Sequence, residues 1–174
     1  MPDPRRGDLT VIVDVANVMG ARADGWWKDR AAAALRLCRE VAALAARGVA
    51  EADLPAGLPA PEATAPGDAV PGPAGAGPDE RVYPGWVLVL EGRARQAADA
   101  LGVVGESRES RLDLDGAGLA SVVLASGSGD DTIVRQLADL GGRVVVTTAD
   151  RELRARCERA GAVVTGPRWL LGLL

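Results

Sequence analysis

Leu9-Thr-Val-Ile-Val13 is a compact run of apolar and β-branched residues that ends at Asp14. A run of this length without polar alternation reads as a strand buried on both faces, the habit of parallel sheets. The pattern returns four times. Trp86 to Leu90 ends at Glu91, Ala120 to Ala125 leads into a Ser/Gly loop, Arg143 to Thr148 ends just before Asp150, and Ala162 to Thr165 is a shorter fifth run.

Helical signals fill the intervals. From Trp26 to Arg47, Ala31, Leu35, Cys38, Val41 and Leu44 or Ala45 recur at three or four with arginines between them, which predicts an amphipathic helix. Asp24 is its expected N-cap and Gly48 its expected stop. Further helices are expected from about Ala94 to Leu101, from the Ser126–Asp131 loop through Leu140, from Asp150 to Ala160 and as a turn at Trp169–Leu174. Strands that alternate with helices predict an α/β fold: a three-layer sandwich with a mainly parallel central sheet of about five strands.

The 174 residues suit a single domain over 1–174 rather than two. Residues 49–80 are Ala, Pro, Gly and acids without periodicity. That composition buries too little apolar surface to offset chain entropy, so it predicts a disordered surface insertion whose removal over 52–79 leaves folding intact. The stretch from Gly102 to Gly118 reads as a second loose segment.

Composition then excludes whole classes of chemistry. The chain contains no His, which rules out Ser-His-Asp and Cys-His nucleophile systems and any imidazole base. Its two cysteines, Cys38 and Cys157, are far apart and too few for a structural zinc site. Both fall in expected helices and read as buried free thiols, which points to a cytoplasmic protein. No basic leader followed by an apolar stretch is present, and no apolar run nears the roughly 20 residues that span a bilayer, so no membrane partner is expected. Lys28 stands alone against nineteen arginines, a bias that reads as genome base composition and not as a nucleic-acid signal.

Net charge is −4 with a pI near 4.9, unfavourable for long-range attraction of a polyanion. Its distribution is uneven, since residues 49–80 hold six acids and no base. Without those six charges the rest of the chain carries +2.

The carboxylates are the informative residues. In open parallel sheets the ligand site forms beyond the C-terminal strand ends, and Asp14, Glu91, Asp130 and Asp150 all follow apolar runs there. Four acids converging on one edge repel one another unless a cation neutralises them, which predicts a hard divalent metal on oxygen ligands. Asn17 can add an amide oxygen from the turn after Asp14. Taken singly each acid has a plainer reading: Asp130 or Asp131 as a helix N-cap, Asp150 as the cap of the helix opening at Arg151, Glu91 as a solvated group or a partner of Arg93.

Three blocks carry a resemblance: Val11-Ile-Val-Asp-Val-Ala-Asn-Val18, Gly129-Asp-Asp-Thr-Ile133 and Val146-Thr-Thr-Ala-Asp-Arg151. Together they resemble the diagnostic blocks of NYN domains, the PIN-like nucleases that include the YacP-like bacterial proteins. Asp24-Gly-Trp-Trp-Lys-Asp-Arg30 and Leu90-Glu-Gly-Arg-Ala-Arg95 are similar to an actinobacterial branch of that family. The resemblance implies a PIN-like fold, with Asp14, Asn17, Asp130 or Asp131, and Asp150 around one or two Mg2+ or Mn2+ ions. It also implies metal-dependent hydrolysis of RNA phosphodiester bonds, chemistry that needs no histidine. Glu91 departs from the aspartate common at that strand end in YacP-like relatives, and its place among the metal ligands is the weakest.

Arg93, Arg95 and Arg151 follow the acids directly and suit phosphate contacts. With Asp14, Glu91, Asp130, Asp131 and Asp150 neutralised, the +2 becomes +7, compatible with RNA as partner. Trp26 is a candidate for base stacking, although on a helix Trp26 and Trp27 point about 100° apart. Trp86 and Trp169 read as core.

Other readings fit less well. A nucleotide pyrophosphohydrolase also uses clustered acids, but Arg151-Glu-Leu-Arg-Ala-Arg156 lacks the glutamates of a Nudix signature. A non-catalytic RNA-binding or interaction module on the same fold would not require all these acids. A flavodoxin-like role conflicts with acids at the turn where phosphate would bind.

Overall fold

The run at 9–13 is the middle of strand β1 (Arg6–Asp14), which lies inside the sheet with a parallel neighbour on each side. In a computed structural model the chain is described over residues 6–60, 80–101, 111–114 and 119–174. After β1 come helices α1 (Val15–Gly20) and α2 (Arg30–Arg47), strands β2 (Val49–Ala50) and β3 (Arg81–Leu90), helix α3 (Ala97–Ala100), and strands β4 (Arg111–Asp113) and β5 (Ala120–Leu124). Helix α4 (Gly129–Asp139), strand β6 (Arg143–Thr147), helix α5 (Arg151–Arg159), strand β7 (Val163–Thr165) and helix α6 (Pro167–Leu173) complete it.

The chain is α/β with a mixed sheet in the order β4-β5-β3-β1-β6-β7. The β5, β3, β1, β6 and β7 pairings are parallel, whereas β4 runs antiparallel to β5 and β2 antiparallel to β3. Strand alternation divides the apolar side chains between two clusters. Val11 and Val13 of β1, with Trp86 and Leu88 of β3, pack with Leu37, Val41 and Leu44 of α2. Ile12, Val87, Val89 and Val146 turn the other way, towards Ile133 and Leu137 of α4 and Leu153 and Cys157 of α5. Each such side chain, fully withdrawn from water, contributes roughly 1.5–3 kcal/mol before entropy. Cys38 and Cys157 are buried free thiols, and burial pushes their pKa values up to about 12 and about 11. Among the described residues no helix is long and apolar enough to cross a membrane.

Local expectations are corrected in four places. Helix α2 begins at Arg30, not Trp26, because Asp29 caps it by accepting from Ala32 N at 2.9 Å. Asp24 instead accepts from Trp26 N at 3.2 Å and pairs with Arg36, so both tryptophans lie in a loop before α2 and not on the helix. The turn expected at 14–25 contains the short helix α1. A strand, β4, lies within the stretch expected to be loose between Gly102 and Gly118.

The largest correction concerns the insertion. Its first part, residues 49–60, is built into the fold: β2 pairs with β3, Leu54 and Leu58 pack against the core, and the carbonyls of Asp53 and Pro59 accept from Trp169 Nε1 and Arg143 Nη1. Removing 52–60 therefore takes away ordered packing, contrary to expectation. Residues 61–79 lie outside the described residues. Glu51, Asp53 and Glu80 belong to the described part, so the chain outside 61–79 carries −1 and not +2.

Candidate active site

Strand order reverses at β1. The chain first moves outward through β3 and β5, then returns across α4 to β6 on the other side of β1. A crevice forms beyond the strand ends at such a switch point, and β1 delivers Asp14 to it.

Asp14 is 6% exposed and also caps α1. Burial of a carboxylate demands hydrogen-bond partners. Asp14 has three: Asn17 N at 3.2 Å, Asn17 Nδ2 at 2.7 Å and Thr148 Oγ1 at 2.8 Å. Burial still dominates and holds its pKa above the ordinary 3.8, while these three donors lower it and the charge of Glu91 raises it. Asn17 turns its amide nitrogen to Asp14, so in this arrangement it acts on the site through Asp14.

Thr148, absent from the residues expected on sequence, links two acids. Its fully buried hydroxyl donates to Asp14 and accepts from Asp150 N at 3.1 Å. Asp150, half-buried, caps α5 by accepting from Leu153 N at 2.8 Å. The available signal was a hydroxyl residue one step beyond the apolar run of β6.

At the start of α4 the two adjacent acids separate. Ser128, not Asp130 or Asp131, is the N-cap. Asp130 is half-buried and faces the other acids: its pKa is raised by burial first, then by Asp14, Asp150 and Glu91, with partial relief from Arg156. Asp131 is exposed and accepts from Arg156 Nη2 at 2.7 Å.

Glu91 ties β3 to α4. Its Oε2 accepts from Gly129 N at 2.7 Å, placing negative charge on the positive end of the α4 dipole. Gly129 has to be glycine for this contact, since a Cβ there would stand 2.5 Å from Glu91 Oε2. Among the described residues, none of Asp14, Glu91, Asp130 and Asp150 forms an ion pair with arginine or lysine. Nor do any three acids stand close enough to form a ready-made metal group, although they are near enough to raise one another's pKa. The donor set of carboxylate oxygens and mutual like-charge repulsion fits a hard divalent cation.

The basic and aromatic candidates are placed around this cluster unequally. Arg93, Arg95 and Arg151 are all exposed. Arg93 and Trp26 line one cleft of about 350 Å³ with Glu91, Ala16, Met19 and Arg30. Arg95 and Arg151 do not line that cleft. No family model matches the chain, and no curated protein and no solved structure matches it either.

Proposed function

We propose that the chain is a metal-dependent ribonuclease of the PIN-like, NYN type, with the sheet as the central layer between α1, α2, α3 and α6 on one face and α4 and α5 on the other. The observation that carries the reading is the convergence of Asp14, Asp130 and Asp150, with Glu91 behind them, on the switch-point crevice, where among the described residues none of the four forms an ion pair and only Arg156 relieves Asp130 in part. A site built for stability alone pairs such acids with arginine, of which the chain has nineteen.

Asp14, Asp130 and Asp150 would hold Mg2+ or Mn2+. A bound divalent ion supplies an activated water and neutralises charge growing on the phosphate during hydrolysis. Asn17 and Thr148 hold the Asp14 carboxylate in one orientation, and Thr148 fixes the Asp150 backbone beside it. Glu91 holds the first turn of α4, and with it Asp130, against the end of β3. Arg93, with Arg95 and Arg151 farther along, offers charge-assisted hydrogen bonds to the RNA phosphates. Asp131, engaged by Arg156, contributes less directly.

A non-catalytic RNA-binding module is the second reading, favoured by the lack, among the described residues, of three acids already at metal-group spacing. Incubation of a labelled single-stranded RNA pool with Mg2+, Mn2+ or EDTA separates the two. Single-stranded DNA and nucleoside triphosphates run alongside. RNA cleavage should require metal and fall by about 10³-fold or more in Asp14→Asn, equivalent to roughly 4 kcal/mol of transition-state stabilisation. Retention of RNA with no turnover in either metal would leave the binding module.

A further inference from the structure

The cleft beside the acids is furnished differently from them. Its walls are the indole of Trp26 and the apolar side chains of Ala16, Met19 and Ala94, and its cations are Arg30 and Arg93. At about 350 Å³ it lies at the small end of ligand pockets, room for one nucleotide and not for a duplex.

The aromatic wall is held in advance. Trp26 rests against Gly20 at the end of α1, with Cζ2 3.8 Å from where a Cβ would stand. The Arg30 guanidinium lies 5.3 Å from its ring centroid, and Trp27 meets it edge-on at 6.3 Å and 86°. The loop that carries both tryptophans is strapped to α2 at two points, by Arg22–Glu40 at 2.6 Å and Arg36–Asp24 at 3.0 Å. A platform fixed in this way loses little entropy when a ligand arrives. Trp27, 60% exposed, is the large hydrophobic side chain left most open to solvent among the described residues.

The cleft and the acid cluster share a border. Glu91 lines the cleft and also accepts from Gly129 N, the residue before Asp130, at 2.7 Å, while Ala16, which lines the cleft too, lies two residues beyond Asp14. A chain with its phosphate at the acids would therefore have its neighbouring residue at Trp26. An indole wall with the Arg30 guanidinium over its ring and Arg93 lining the same cleft suits a flat, electron-rich ring carried on an anionic backbone, since aromatic and cation–π attraction act on the ring while an arginine meets the phosphate.

We infer that the cleft formed by Trp26, Arg30, Arg93 and Ala94 takes one unstacked nucleobase of a single-stranded RNA, next to the phosphate held at the acids. The inference rests on the ribonuclease reading for what lies beyond the cleft, but the cleft binds a nucleobase whether or not the neighbouring site hydrolyses RNA. Duplex RNA is a poor ligand here because its bases are already paired and stacked.

The test uses the full chain in EDTA, titrated by NMR with adenosine 5′-monophosphate and, separately, with ribose 5-phosphate, which lacks only the base. Wild type should bind the nucleotide about ten- to hundredfold more tightly than the sugar phosphate. Trp26→Ala should erase that difference while leaving the sugar phosphate unaffected, and Trp26→Phe should keep most of it. If Trp26→Ala does not fold, Ala16→Leu fills the cleft from α1 and should erase the same difference. Equal affinity of wild type for the two ligands, or a preference that survives both Trp26→Ala and Ala16→Leu, overturns the inference, and RNA cleavage by such a protein would leave the ribonuclease reading standing. A Trp26-dependent preference in a protein that cleaves no RNA with Mg2+ or Mn2+ supports the base cleft and removes the ribonuclease.

Discussion

The two ends of the parallel strands treat their carboxylates in opposite ways. At the N-terminal end Asp8 is gripped by Arg143, with Nε at 3.0 and 3.1 Å from the two oxygens and Nη2 at 2.8 Å from one. Arg81 donates to the carbonyls of Arg47 and Gly48 nearby, and Arg47 to that of Leu173. Among the described residues at the C-terminal end, Asp14, Glu91 and Asp150 accept from neutral donors, and the acid ion-paired to arginine there is Asp131. One end commits its charge to structure. The other keeps its charge available, and the raised pKa values of Asp14 and Asp130 show the cost.

Two glycines test that contrast most severely. Gly142, at φ +79, brings its backbone so near β1 that a Cβ would meet the Asp8 carbonyl oxygen at 2.5 Å, and a carbonyl cannot yield as a side chain can. Gly142→Ala should cost about 2–3 kcal/mol in urea unfolding. Gly129→Ala meets the end of the Glu91 side chain instead, which can swing aside, so it should cost only about 1 kcal/mol while, if the proposed site hydrolyses RNA, lowering that activity by displacing Asp130. Equal stability losses at the two positions would break the distinction between the ends.

Arg143→Ala comes next. Loss of its grip on Asp8 should cost about 1–2 kcal/mol and leave the proposed RNA hydrolysis within about twofold of wild type. A large loss of activity without unfolding would mean that the structural end also serves the site.

Asp130→Asn acts in the reverse direction. A carboxyl whose folded pKa is raised adds stability that is complete below its unfolded value and lost as pH rises through the folded one. In EDTA at about pH 7 the variant should therefore be the more stable, by under about 1 kcal/mol because solvent screens the half-exposed group. Its advantage in Tm should disappear towards about pH 4, close to the ordinary value of 3.8. Mg2+ should raise the Tm of wild type more than that of the variant.

The smallest effect is expected at Thr147, buried beside the site but with a hydroxyl that has no hydrogen-bond partner. Thr147→Val should change stability by less than about 1 kcal/mol, in the favourable direction, whereas Thr148→Val should destabilise Asp14 by removing its donor.

Much of this arrangement is legible along the chain. The apolar runs at 9–13, 86–90, 120–125 and 143–148 announce themselves because a strand covered on both faces needs β-branched and aliphatic residues throughout. The acids that end those runs are equally plain, since position along a strand is local information. The alternation of strands with helices and the burial of Cys38 and Cys157 follow from the same periodicity. Local signals misled where two neighbours competed for one role. Asp24 and Asp29 are both capping residues, and Asp29 wins because Arg36 and Trp26 N occupy Asp24. The Ala/Pro/Gly composition of 49–60 concealed two leucines and two carbonyls that serve the core and the sheet end.

Sequence alone thus determined the strands, their alternation with helices and the carboxylates at their ends, because each depends on residues adjacent in the chain. Tertiary structure decided that Asp130 turns in while Asp131 turns out to Arg156, that Thr148 joins Asp14 to Asp150, and that Glu91 meets Gly129 across 38 residues. Those choices depend on which backbone groups the packed strands bring within about 3 Å of one another, a distance set by the sheet and not by order along the chain.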